Sequence, residues 1–180
     1  MTLQSIIEGL QRGDSEARRE LYQHYSTAMF SLVRRYVRER AAAEDVFHDA
    51  FVTLFTKVGD YRGEGSFEGW MRRIFVTTAL NHLRRDSSHD YVDNDIGDLP
   101  PGRAGSAPPE ALEQLSNQEL LQAMEQLPEG YRTVVNLHAV EGYSHAEIAK
   151  MLAIEESTSR SQYLRAKARL AKILERYKLH

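Results

Sequence analysis

The densest concentration of chemical function in this chain lies near its C-terminal end. Between Thr158 and Lys178 stand seven basic residues (Arg160, Arg165, Lys167, Arg169, Lys172, Arg176 and Lys178) against one acid, Glu175. A local excess of this kind on one element is the electrostatic footprint that a phosphate backbone selects, although a solvated basic helix would carry the same charge. A second set is acidic. Asp45, His48, Asp49 and Val52 recur at helical spacing on the face opposite an apolar stripe, and surface carboxylates without a basic neighbour suit a basic partner. Taken by itself that face reads first as a solvated surface. A third set mixes rings with cations: Tyr61, Phe67 and Trp70, then Arg72, Arg73, Arg84 and Arg85. Rings that stack bases and guanidiniums that hold phosphates are what a separated nucleic-acid strand requires. At their spacing, Phe67 and Trp70 read first as core residues.

Other chemistries lack their residues. The seven histidines (His24, His48, His82, His89, His138, His145 and His180) are scattered over separate elements, and there is no HExxH, no phosphate-binding glycine loop and no cysteine. Asp93, Asp95 and Asp98 hint at a calcium loop, but its glycine and closing Glu are misplaced. No catalytic residue, metal or cofactor is expected.

These residues need helices to position them. Asp14 can cap a helix over about 15–38, with Leu21, Tyr25, Ala28, Leu32 and Tyr36 as its inner stripe. A second helix, about 42–58, has Phe47, Ala50, Phe51, Leu54 and Val58 as a core face. After the loop YRGEGS, Ser66 caps a third through Arg85. Further on, one helix from about Pro109 ends near Leu127, and Pro128 suits the first turn of the next, which Gly142 closes. Ser144 caps a short helix, AIEES makes a turn, and a basic helix begins near Ser157 with Ser159, Tyr163, Ala166, Leu170 and Ile173 inward. Its outer face would carry Ser161, Leu164, Arg165, Ala168 and Lys172. No alternating strand pattern is present. The fold class expected is all-α.

Charge divides the chain of 180 residues into three. Net charge is -3 overall, but residues 1–87 carry 13 basic and 12 acidic side chains, 88–118 carry 1 and 6, and 119–180 carry 9 and 8. Four of the five prolines fall in the acidic middle piece, which has too few bulky apolar residues to offset the entropy of ordering. Two small helical domains, 1–87 and 118–180, are therefore expected around a flexible acidic linker, 88–117. With 42% hydrophobic residues each can bury a core. The first residues, MTLQSIIEGLQRGD, have no basic and apolar regions of a leader, and no run reaches the ~18 apolar residues of a span, so a cytoplasmic location is expected.

Against this background LPEGYRTVVNLHAVEGYSHAEIAKMLAIEESTSRSQYLRAKARL resembles the DNA-binding module of bacterial RNA polymerase sigma factors of the sigma-70 family, extracytoplasmic-function (ECF) group. Independently, AEDVFHDAFVTLFTKV, YRGEGSFEGWMRRI and TALNHLRR are similar to the first conserved domain of that family. The resemblance implies a region 2 bundle in the first domain and a region 4 helix-turn-helix in the second. It implies core RNA polymerase, promoter DNA and an anti-sigma factor as partners. By the same resemblance Asp45, His48, Asp49 and Val52 dock on the polymerase clamp helices. Tyr61, Arg62, Gly63, Ser66, Arg72, Arg73, Asn81, Arg84 and Arg85 would recognise and melt the -10 element. Ser144, His145, Thr158, Arg160, Ser161, Leu164, Arg165 and Arg169 would meet the -35 element. The chain departs from the family pattern at His48, usually Gln, at Thr77 and Asn81, at Ser157, often Gly, and at Gln162, often Arg, where a change in the bases read is expected. A promoter-specificity subunit is the function expected; a stand-alone helix-turn-helix regulator is the alternative, and an enzyme a distant third.

Overall fold

A computed structural model of the protein describes residues 1–86 and 117–178. The expected linker, the helix start at Pro109 and the aspartates 93, 95 and 98 lie outside the described residues. The chain divides into two compact units, Met1–Ser87 and Ser88–His180. Among the described residues every regular element is a helix.

The first unit holds α1 (Leu3–Gln11), α2 (Ser15–Tyr36), α3 (Arg40–Lys57) and α4 (Phe67–Asp86), with one 3-10 turn, Val58–Asp60, after α3. Helix α1 was not expected from the sequence. Thr2 caps it by accepting from the Ser5 amide, and Ile6, Ile7 and Leu10 are buried. Gly9 lets α1 approach α2: a Cβ there would stand 2.7 Å from the Cβ of Ala17. Asp14 caps α2 through the Glu16 amide, as expected. The inner stripe of α2 is rotated from the expected one, since Ala28 is exposed and Met29 and Val33 are buried instead. Glu39 caps α3 with both carboxylate oxygens, on the Ala41 and Ala42 amides. Those two hydrogen bonds hold its pKa below the usual carboxylate value. The whole predicted face of α3, Phe47 to Val58, is buried. Phe47, Phe51 and Phe75 form its centre, with Phe51 edge-on to Phe75 of α4 at 5.0 Å.

The second unit, among the described residues, holds α5 (Asn117–Glu125), α6 (Glu129–Val135), α7 (His145–Leu152) and α8 (Glu156–Lys178). Pro128 stands at the N-cap of α6, one position before the expected one. A π turn, Asn136–Val140, extends α6: the Glu141 amide donates to the Asn136 carbonyl at 2.9 Å. Gly142 then ends the helix at φ +81. Met124, Leu127, Tyr131, Val135, Ala166 and Leu170 make one core that clamps α8 against α5 and α6. Burying these side chains is the main force setting the pose of α8.

Candidate functional site

Helix α3 presents Asp45, His48, Asp49 and Val52 to solvent, Val52 with 65% of its surface exposed. The apolar stripe behind them fixes this orientation, because a helix that buries Phe47, Ala50 and Phe51 must turn these four outward. Among the described residues neither aspartate is ion-paired. Three of the four, Asp45, Asp49 and Val52, line a cleft of about 860 Å³ whose other wall is α4. That wall carries Arg73, Asn81 and Arg85, so the structure brings residues expected at two separate sites into one groove. Sequence reasoning missed Lys57, Asp60, Ile74 and His82, which also line it. The positions 73, 77, 81 and 85 repeat every fourth residue, and that polar stripe was the available signal. His48 points elsewhere, its ring edge-on to Phe47 at 5.3 Å. Arg72 is half-buried, and Arg84 is exposed.

Before α4 the chain makes a short loop whose own bonds shape it. Tyr61 Oη donates to the Gly65 carbonyl at 2.9 Å, and Gly63 and Gly65 both take φ +77. Ser66 Oγ accepts from the Gly69 amide at 3.0 Å, which caps α4. Arg62, Gly63 and Ser66 are exposed around the loop. The three rings cluster, Tyr61 lying 5.2 Å from Phe67 and 5.4 Å from Trp70. Phe67 is core, as expected; Trp70 is half-buried and lines the cleft, so it connects loop and groove. From α1, Gln11 Nε2 donates to the Tyr61 carbonyl at 3.2 Å and braces the loop root.

In the second unit a full capping box opens α7: Ser144 Oγ accepts from the Glu147 amide, and Glu147 accepts from the Ser144 amide. The turn to α8 is shorter than expected, Ala153–Glu155, and Ala153 takes the left-handed conformation at φ 55. Ser157 is already inside α8. On α8, Arg160 and Leu164 are exposed, Leu164 by 45%, while Thr158, Ser161, Arg165 and Arg169 are half-buried. Arg160 is ion-paired with Glu156 one turn earlier. Arg169 lies 5.4 Å over the Tyr131 ring. Two expectations need correcting. Gln162, expected among the residues that read bases, is 1% exposed and belongs to the interior. Ala168, expected on the outer face, is buried as well. His145 is half-buried, with its Nδ1 2.8 Å from Ser159 Oγ. Ser144 beside it is exposed.

A capped helix-turn-helix with a basic second helix, in a chain whose other unit carries an exposed acidic helix face, has the form of a DNA-reading protein. Comparison with known proteins makes the class specific. Residues 21–89 match Sigma-70 region 2 and residues 117–170 match Sigma-70, region 4. The chain is 32% identical to RNA polymerase sigma-H factor of Pseudomonas aeruginosa, over 96% of this chain and 93% of that one. It is 31% identical to ECF RNA polymerase sigma-E factor of Escherichia coli, over 93% and 91%. In fold it is similar to CnrH, solved in complex with the cytosolic domain of CnrY, at a TM-score of 0.53 and 20% identity over 94% of this chain and 95% of that one. It is likewise similar to the sigma factor RpoE solved with the anti-sigma factor NepR from Bartonella quintana, at 0.54 and 18% over 87% and 96%. The chain belongs to the sigma-70 family, in its ECF group. No helix among the described residues is long and apolar enough to cross a membrane.

Proposed function

We propose that this chain acts as the promoter-specificity subunit of RNA polymerase: it binds the core enzyme, directs it to particular promoters and helps open them. It contributes no bond-making chemistry, works in the cytoplasm, and is held in reserve by an anti-sigma factor. The observation that carries the reading is the pairing, in one chain, of a region 2 bundle with an unpaired acidic helix face and a region 4 helix-turn-helix.

The proposed division of labour follows the geometry. Asp45, Asp49 and Val52, with His48 beside them, dock on a basic helical surface of the polymerase; exposed, unpaired carboxylates have no internal ion pair to break before they complement it. The Tyr61–Ser66 loop, closed by its own hydrogen bond, holds a base turned out of the stack. The cations of α4, Arg72, Arg73, Arg84 and Arg85, hold the separated strand, with Asn81 among them. On α8, Ser161, Leu164 and Arg165 face the base edges of the upstream element, and Thr158, Arg160, Arg169 and Ser144 fix the backbone.

Run-off transcription on a promoter library with core polymerase tests this. Discrete start sites should arise only when the chain is added. Asp45→Ala combined with Asp49→Ala should lower core-enzyme capture in a pull-down while circular dichroism stays unchanged. A specific gel shift by the chain alone, indifferent to core enzyme, would instead mark a free-standing regulator and overturn the reading.

A further inference from the structure

Three elements of the helix-turn-helix meet at two imidazoles. His138 lies on the π turn and His145 opens α7, and their rings stack with centroids 4.2 Å apart at 19°. Tyr163 of α8 packs edge-on against His138 at 4.6 Å and stands 5.6 Å from His145. His145 Nδ1 is 2.8 Å from Oγ of Ser159, a residue with no exposed surface. His138 Nδ1 is 2.8 Å from the Tyr143 carbonyl oxygen. A carbonyl only accepts, so that nitrogen carries the proton and donates. The joint therefore ties the π turn and α7 to the helix that carries the basic run.

We propose that His138 and His145 are positioning residues for α8, and that the His145 ring makes binding of the upstream promoter element proton-linked: strong while that ring is neutral, weakening as pH falls through the imidazole range. The proposal rests on the reading of α8 as the DNA-reading helix.

The surroundings of His145 favour its neutral ring. Two neutral imidazoles stack as other aromatics do, whereas a proton on each places like charges in contact. From α8, Lys167 sets its ammonium 4.8 Å from the Tyr163 centroid, and Arg160 adds a second cation. The carboxylate opposing them, Glu156, is already paired with Arg160. From α7 itself, His145 occupies the first helical position, where the backbone dipole disfavours a cation, and Glu147 is committed to the Ser144 amide. Burial first, then His138, Arg160 and Lys167, hold the His145 ring below the ordinary value of 6.5, with Glu156 acting the other way. A ring released from the joint would take its proton at the ordinary value, so acid favours release. Release uncouples α7 from α8, and the angle between those helices sets how the second enters the groove.

The test uses holoenzyme built from core polymerase and the full chain. Binding to a promoter found by the run-off experiment is compared with binding to the same promoter carrying a scrambled upstream element. Their ratio removes any pH dependence of the core enzyme. It should fall roughly two- to fivefold between about pH 7.5 and about pH 5.8. In the double variant His138→Phe, His145→Tyr, which keeps two rings and removes both proton acceptors, it should change less than about twofold. A second measurement needs no variant: the His145 ring protons, followed by NMR in the free chain, should titrate below 6.5. Titration at or above that value overturns the proposal, as does a fall with pH that the double variant retains. A ratio that rises in acid would mean that His145 donates to a phosphate as imidazolium, and overturns it too. A flat ratio with full upstream preference at both pH values sinks the proposal alone. Indifference to the upstream element even at pH 7.5 sinks the reading of α8 and the proposal with it.

Discussion

Leu164 and Arg165 are neighbours on α8 but differ in setting, the first exposed and the second half-buried. An exposed leucine on a DNA-facing helix has a thymine methyl as its natural contact, and a guanidinium held at its base can pair with guanine in two bonds. Arg165→Ala should cost about 1–3 kcal/mol of promoter affinity and relax preference at one base position. Single-base variants of the upstream element, assayed with holoenzyme, check this; an equal loss on every variant would make Arg165 a phosphate contact. Arg169 behaves differently because it also covers the Tyr131 ring. Arg169→Ala should weaken binding evenly across sequences and reduce the salt slope by about one. It should also lower the unfolding midpoint, since a partly desolvated cation–π contact is worth about 0.5–2 kcal/mol. The exposed acidic face was legible in the sequence because a buried stripe leaves its opposite no choice. The histidine joint was not: positions 138, 145 and 163 sit on three elements, and only tertiary packing brings their rings together.

At the scale of elements, helix α7 ends badly by choice of residue. Ala153 holds φ 55 at the C-cap, where an L side chain costs roughly 1–2 kcal/mol and glycine costs little. Ala153→Gly should raise the midpoint of thermal unfolding for the unit; a lower midpoint would show that the alanine methyl makes contacts that outweigh the strain. Gly9 makes the opposite case. Gly9→Ala places a methyl against Ala17 and should loosen α1, seen as faster amide exchange at Ile6 and Ile7. The same glycine explains why α1 was missed: inside nine residues it reads as a breaker, and its reason for being there is the close approach of another helix. The stripe of α2 was misread at one step, Ala28 for Met29, because over 22 residues a 3.6-residue period admits either neighbour. Caps read more truly. Asp14, Ser66 and Ser144 all bond where their side chains suggested, since a cap is settled within three residues.

At the scale of the molecule, each unit has its own core and its own candidate surface. Substitutions in separate units that share no partner should act additively. Combining Asp45→Ala and Asp49→Ala with Arg165→Ala should therefore give the sum of their separate losses in promoter occupancy, within about 0.5 kcal/mol. A larger departure, measured by double-variant cycles on holoenzyme, would mean that docking and base reading are energetically coupled. The division itself was visible in the charge and proline distribution, because composition acts over tens of residues and needs no contact map. The groove shared by α3 and α4 was hidden for the converse reason: Asp49 and Arg73 are 24 positions apart, and no local pattern says that they look across the same space.

The π turn at Asn136–Val140 has a consequence for how this sequence tolerates change in length. Such a turn amounts to a regular helix that has accepted one additional residue. Removing one residue there would restore the ordinary ladder and turn the residues inside the stretch, His138 among them, about the axis while the flanks keep their places. His138 would rotate off His145, while the apolar face of α6 upstream stayed in place. A single-codon deletion in this short stretch should leave a folded unit whose recognition helix has lost its proton-sensitive tie.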